Sequence, residues 1–258
     1  FRDLFSRLAL SVDWSRQYQT ISDESQSVSQ MSFLDLYHKG LLERRLEPSL
    51  WDPADRTALA QAEVEEIERE GKLNEIPFQI EGGGVEPAVI ATTRPELIGG
   101  CGALMIHPDH PRAGELVGQR AITPLYHVPV PIIADEAADP EKGTGIVMCC
   151  TFGDIQDINW WRAHGLPLRI VIDRAGKMIE DLPIGTDDWP SLDEGSARET
   201  IAALAGLKAA KAKDAVLEML REKGLLLAQH TTHQVVPVAE RSGAPLEIIV
   251  TPQWFIKT

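Results

Sequence analysis

The chain has 258 residues, enough to bury a core as one large domain or two modest ones, and its 43% hydrophobic content suits a globular protein. Its 39 acidic against 25 basic residues leave a net charge of −14, which argues against a free-standing nucleic-acid binder, because neutralising phosphates drives such binding; any nucleic-acid contact must be local. No apolar run reaches the ~20 residues a membrane-spanning helix needs, and Cys101, Cys149 and Cys150 form no disulfide framework, pointing to small core residues in a reducing, cytoplasmic compartment.

Phe1-Arg2-Asp3-Leu4-Phe5 has neither a basic leader region nor an initiating Met. Residues 1–14 read as an amphipathic helix, so the chain is expected to begin in the middle of something. Helical spacing continues to residue 45: Val28, Met31, Leu34, Tyr37 and Leu41 recur at three- and four-residue steps, with Gly40 as a stop. Trp51-Asp52-Pro53-Ala54-Asp55 reads as a turn, followed by Thr57-Ala58-Leu59-Ala60. From about 76 to 180 the pattern becomes short β-branched runs: Ala88–Thr92, Ala103–Ile106, Val128–Ile133, Ile146–Cys150 and Leu168–Ile172. Gly and Pro punctuation between them predicts an α+β fold built on a β-barrel-like or strongly curved sheet. A helix is expected from Asp154 to His164 with Gly165 as its stop, and Asp173-Arg174-Ala175-Gly176 should close a hairpin. Ser191-Leu192-Asp193-Glu194 is a capping-box signature. A helix over 208–223 places Ala212, Val216, Met219 and Leu220 on one stripe and stops at Gly224. Residues 230–258 return to extended sequence. The predicted organisation is a flank over 1–75, a domain over 76–229 and a second flank over 230–258.

Two motifs carry chemistry. Thr92 and Thr93 end a strand before Arg94-Pro95-Glu96. They are either ordinary strand threonines closed by a proline, or hydroxyls that hold a water or an ester beside a guanidinium that binds phosphate or carboxylate. Asp154 and Asp157, three apart at a helix start, share one face near its positive end. They are either caps or a carboxylate pair for an ammonium group. Gly143-Thr144-Gly145 lies between the two motifs, and strand Ile146–Cys150 leads into the second. No metal is expected. His230-x-x-His233 lacks partner cysteines or a glutamate, and His107 and His110 read as loop residues.

Thr92-Thr93-Arg94-Pro95-Glu96, Gly143-Thr144-Gly145 and Asp154-x-x-Asp157, in this order and spacing, resemble the amino-acid editing (CP1-type) insertion of class I aminoacyl-tRNA synthetases. Thr151-Phe152-Gly153-Asp154, Trp160-Trp161, Glu240–Pro245 and Gln253-Trp254-Phe255 bring nearly the whole chain closest to the valyl branch. The resemblance implies hydrolysis of mischarged threonyl-tRNA(Val), with Thr92, Thr93, Asp154 and Asp157 catalytic and Arg94, Glu96, Met148 and Cys150 on the substrate. It implies as partners the tRNA(Val) 3′ end carrying threonine and the remainder of a parent synthetase, with no membrane involved. His-Ile-Gly-His and Lys-Met-Ser-Lys-Ser motifs are absent. No cofactor is therefore expected in this stretch, ATP and Mg belonging only to a synthetic domain outside it. Three positions depart from the pattern: Leu97 replaces a frequent threonine, and Met148 and Cys150 stand where lysine and threonine are usual. Asp52 and Asp55 replace a Cys-Pro-x-Cys zinc half-site. An isoleucyl-type domain clearing valyl-tRNA(Ile) and a non-catalytic tRNA-docking module remain open alternatives.

Overall fold

The structure, a computed structural model, describes residues 2–257; Phe1 and Thr258, the outermost residues of the predicted first helix and last extended segment, lie outside them. The chain divides into two compact units: residues up to Leu46 with those from Pro252 on, and Glu47–Thr251.

In the first unit the helix expected over 1–45 is two helices. α1 (Arg2–Arg7) ends where Ala9 takes a left-handed φ of 55° and Leu10 N–H bonds to Phe5 O at 3.2 Å, a closure that halts the helix. α2 (Asp23–His38) starts at Ser22, whose hydroxyl accepts the Ser25 N–H at 3.2 Å, and stops before Gly40 at φ +71°. The expected stripe of Val28, Met31, Leu34 and Tyr37 is exposed. Phe33 packs edge-on against Trp254, with ring centroids 5.2 Å apart. Leu41 belongs to no helix, and β1 (Leu42–Asp52) follows it.

In the second unit β2 (Thr57–Ala58), β3 (Val64–Ile80) and β4 (Ala88–Thr92) precede a 3-10 turn over Pro95–Gly100. Then come β5 (Cys101–Ile106), α3 (Ala113–Leu116), β6 (Arg120–Ile122), β7 (Pro129–Ala134) and β8 (Ile146–Cys150). The chain continues through α4 (Ile155–His164), α5 (Glu194–Leu204), α6 (Ala209–Glu222), β9 (Ala228–Ala239) and β10 (Glu247–Ile256), whose residues from Pro252 on belong to the first unit. The result is mixed α and β with two sheets, ordered β10-β1-β2 and β4-β3-β6-β7-β5-β8, with β9 added on β3. The registered pairs are antiparallel except β5 with β7. The expected barrel-like sheet is corrected to an open one among the described residues. Closure needs a continuous hydrogen-bond register around the ring, whereas the end strands β4 and β8 approach without a ladder.

Two further expectations change. Leu168–Ile172 forms no strand, because the Arg169 N–H donates to the Thr151 hydroxyl at 2.9 Å and its C=O accepts from that hydroxyl at 2.7 Å instead of pairing in a ladder. Only the Ile172–Met178 bridge remains around the Asp173–Gly176 turn. The cap of α5 is Asp193, which accepts the Ser196 N–H at 3.0 Å, while the Ser191 hydroxyl donates to Tyr126 O. α6 buries Ala212, Val216 and Leu220 as its spacing requires. The core gathers Ala88 and Ile90 of β4, Ile146, Met148 and Cys150 of β8, and Leu97 and Ile98 of the 3-10 turn. The pleat sends Cys149 the other way, into a smaller cluster with Met105 and Trp160.

Candidate functional site

The first motif begins where β4 runs out. Asn74, fully buried on β3 opposite Thr92, donates from its amide to Thr92 O at 2.9 Å and to Lys72 O at 3.1 Å, and accepts from Gln229 at 2.8 Å. It occupies the same strand face as Ile76, Phe78 and Ile80, so a polar residue at a core position was its sequence signal. Past Thr92 the chain leaves the ladder: Arg94 N–H donates to Thr92 Oγ1 at 3.0 Å, which leaves the Thr92 hydroxyl proton free to point elsewhere. Pro95 then opens the 3-10 turn, where its missing N–H costs nothing.

Arg94 is held from two sides. Its Nε donates to Glu96 Oε1 at 2.9 Å and one Nη donates to Glu247 Oε2 at 2.8 Å. Burial works against its charge, but the two carboxylates outweigh burial and raise its pKa. Burial pushes the Glu247 carboxyl up, with Arg94 pulling it back. Glu96 Oε2 is buried and lacks a hydrogen-bond partner. Glu247 arrives from β10, 153 residues away, and no pattern in the sequence marks it.

The second motif is a strand-to-helix turn drawn around one carboxylate. Asp157 Oδ1 accepts the Cys150 N–H at 3.3 Å; Oδ2 accepts those of Gly153 at 2.7 Å and Asp154 at 3.4 Å. In return Asp157 N–H donates to Asp154 Oδ1 at 3.0 Å, so the pair is a reciprocal capping box and both carboxylates do cap α4. Their environments differ: Asp154 is exposed and Asp157 is buried. Burial, reinforced by the charge of Asp154, pushes the Asp157 carboxyl up to about 7 against the pull of the three N–H groups. Asp157 is therefore poised to change charge near neutrality. α4 ends at Gly165 with φ +60°, as its spacing required.

The two motifs meet through Leu97. Its carbonyl accepts the Cys150 thiol at 3.3 Å, and its Cδ1 would stand 3.3 Å from a Cβ on Gly153, whose other neighbour is Asp157 Oδ2 at 2.9 Å. The Gly-Thr-Gly loop packs against the end of β4. A Cβ on Gly143 would come within 2.6 Å of the Ala91 Cβ, next to Thr92, so only glycine fits at its φ of +62°. His110 sits against this loop, with Nε2 3.1 Å from Thr144 O. Met148 and Cys150 lie in the core below, and burial raises the Cys150 pKa.

The other candidates stand elsewhere. His230 is exposed, 3.0 Å from Glu75. Asp52 is buried, accepting the Ala54 N–H at 2.7 Å and the Ser242 hydroxyl at 2.7 Å, so its carboxylate ties two turns together. A cleft of about 100 Å³ beside it, lined by Asp55, Glu63 and Arg241 among others, contains none of the motif residues. Among the described residues no group of three or more His, Cys, Asp or Glu could hold a metal ion, and no helix is long and apolar enough to cross a membrane.

The sequence profile of the family described as tRNA synthetases class I (I, L, M and V) matches residues 1–258. A valine--tRNA ligase of Rickettsia rickettsii is 48% identical over 258 residues, covering 100% of this chain and 29% of that protein. One of Rickettsia felis is 41% identical over 303 residues, covering 100% and 33%. The chain thus spans about a third or less of the length of these curated relatives. Among solved structures, the agnB2 LeuRS of Agrobacterium radiobacter K84, crystallised as a ternary complex with tRNA and LeuAMS, aligns at a TM-score of 0.43. It is 19% identical, and the alignment covers 91% of this chain and 35% of that one.

Proposed function

Because the chain belongs to the class I tRNA synthetases (I, L, M and V), we propose that it performs the hydrolytic proofreading of a valine--tRNA ligase, cleaving threonine from mischarged tRNA(Val). The observation that carries the reading is the junction at Leu97, where the Thr92–Glu96 run and the Asp154–Asp157 turn close on one another. Residues 76–229 form the editing portion, and 1–75 and 230–258 join it to the rest of a parent synthetase. The reaction takes place in the cytoplasm.

The need for a second site follows from selectivity. An apolar pocket rejects an isostere that merely adds a hydroxyl only weakly, and valine against threonine is the standing example of that rule. A polar pocket reverses the preference, since threonine can hydrogen-bond there while valine leaves polar groups unpaired.

In this reading the substrate α-ammonium meets the aspartate pair. Asp154 offers an exposed carboxylate, and Asp157 Oδ1 accepts one long N–H bond and keeps capacity for another. The Thr92 and Thr93 hydroxyls, with neighbouring backbone groups, position a water against the ester carbonyl. Arg94 orients the substrate or the terminal nucleotide with the N–H groups that Glu96 and Glu247 leave open. Glu96 serves the substrate through Arg94, while Met148 and Cys150 form an apolar floor. With Asp157 committed to the ammonium, no other side chain named here serves as general base. Positioning and electrostatics, aided by the terminal ribose hydroxyl, supply the rate.

The test is hydrolysis by this chain of threonyl-tRNA(Val), valyl-tRNA(Val) and valyl-tRNA(Ile). Selective release of threonine is expected, and its loss in a folded Asp157→Ala variant. Preference for valyl-tRNA(Ile) would favour the isoleucyl type, and binding of tRNA without any hydrolysis would favour a docking module.

A further inference from the structure

We propose that Glu247, remote in sequence from the Thr92–Glu96 run, is its positioning residue. With Arg94 and Glu96 it forms a line of three side chains that fixes where the Thr92 and Thr93 hydroxyls stand. The functional half of this inference rests on the editing reading above.

Glu96, Arg94 and Glu247 form a largely buried group in which one guanidinium bridges two carboxylates, at 2.9 and 2.8 Å. Buried charge is tolerated when it is paired and costs several kcal/mol per ion when it is not, so loss of either bridge is expensive. Glu247 belongs to β10 and Arg94 to the run itself, so the bridge between them joins the run to a strand 153 residues away.

The line has a geometric consequence. Beyond Thr92 the chain has left the β3–β4 ladder, whose last paired residue is Thr92 opposite Asn74. The Arg94 N–H bond to Thr92 Oγ1 is local and would move with the segment. Leu97 and Ile98 hold the far end of the segment in the core, and at the near end the Arg94 side chain ties it to β10 through Glu247. Loosening that tie lets Thr92 and Thr93 drift without touching the reacting atoms. A displacement of about 1 Å is enough to cost up to about a hundredfold in rate.

Glu247→Gln tests this by hydrogen–deuterium exchange over residues 92–97 together with deacylation of threonyl-tRNA(Val). Exchange should rise by about tenfold or more over 92–97 alone, and kcat should fall by about ten- to a hundredfold with KM little changed. Glu247→Asp, which keeps the carboxylate, should restore part of both. Unchanged exchange over 92–97, a rise spread evenly over the whole chain, or altered exchange with unaltered kcat would each overturn the proposal. A wild-type chain without deacylase activity would instead refute the editing reading, and the exchange result would still decide the positioning line.

Discussion

Replacing Asp157 with Asn removes a carboxylate whose protonation is coupled to folding, and the size of that coupling can be worked from its surroundings. Burial and the neighbouring Asp154 raise its pKa from 3.8 to about 7 despite three backbone N–H donors. The folded chain therefore holds this proton more tightly than the unfolded chain does. The folded state is favoured where the carboxyl is protonated, and that advantage is lost as pH rises between roughly 4 and 7. The full span is worth about 4 kcal/mol, of which about 3 kcal/mol falls between about pH 5 and about pH 8. Asn cannot follow this titration. It also cannot accept the Gly153 N–H through its amide nitrogen, which costs about 1–3 kcal/mol at every pH. Urea unfolding of both chains, followed by tryptophan fluorescence, separates the two effects. Wild type should lose about 3 kcal/mol of stability relative to Asp157→Asn from about pH 5 to about pH 8, which leaves the variant the more stable at the upper end. Parallel pH curves would refute the reasoning. A wild type that instead gains on the variant as pH rises would show the N–H donors prevailing over burial.

Asn74→Ala should destabilise the chain by about 1–3 kcal/mol, because Thr92 O and Lys72 O lose a buried donor; thermal unfolding reads the loss, and threonyl-tRNA(Val) deacylation should fall with it. Gly153→Ala should place a methyl 2.9 Å from Asp157 Oδ2 and 3.3 Å from Leu97 Cδ1, costing about 1–3 kcal/mol by overpacking and lowering kcat by about tenfold or more. An unchanged rate in a folded Gly153→Ala chain would separate the turn from the reaction.

The sequence by itself determined the elements whose signals are local. Strands Ala88–Thr92 and Ile146–Cys150, the helix Ile155–His164 with its Gly165 stop, and the buried stripe of α6 all follow from β-branched runs, caps and 3.6-residue spacing. It also determined the family, because the two motifs and the glycine loop keep a fixed order along the chain. It missed the β3–β9 pair, since Val64–Glu70 is acid-rich and exposed and lacks the alternation of a half-buried strand; only pairing with β9 makes it one. It overextended the first helix, where nothing in the spacing foretells the left-handed Ala9.

What only the tertiary structure decided is how the candidate residues are used. Asp154 and Asp157 look equivalent in sequence, yet one is exposed and the other is wrapped by three N–H groups with its pKa raised to about 7. Arg94 reads as a free cation until Glu247 reaches it from 153 residues away. Charge, burial and protonation depend on neighbours in space, and those neighbours come from strands and helices that no local pattern brings together.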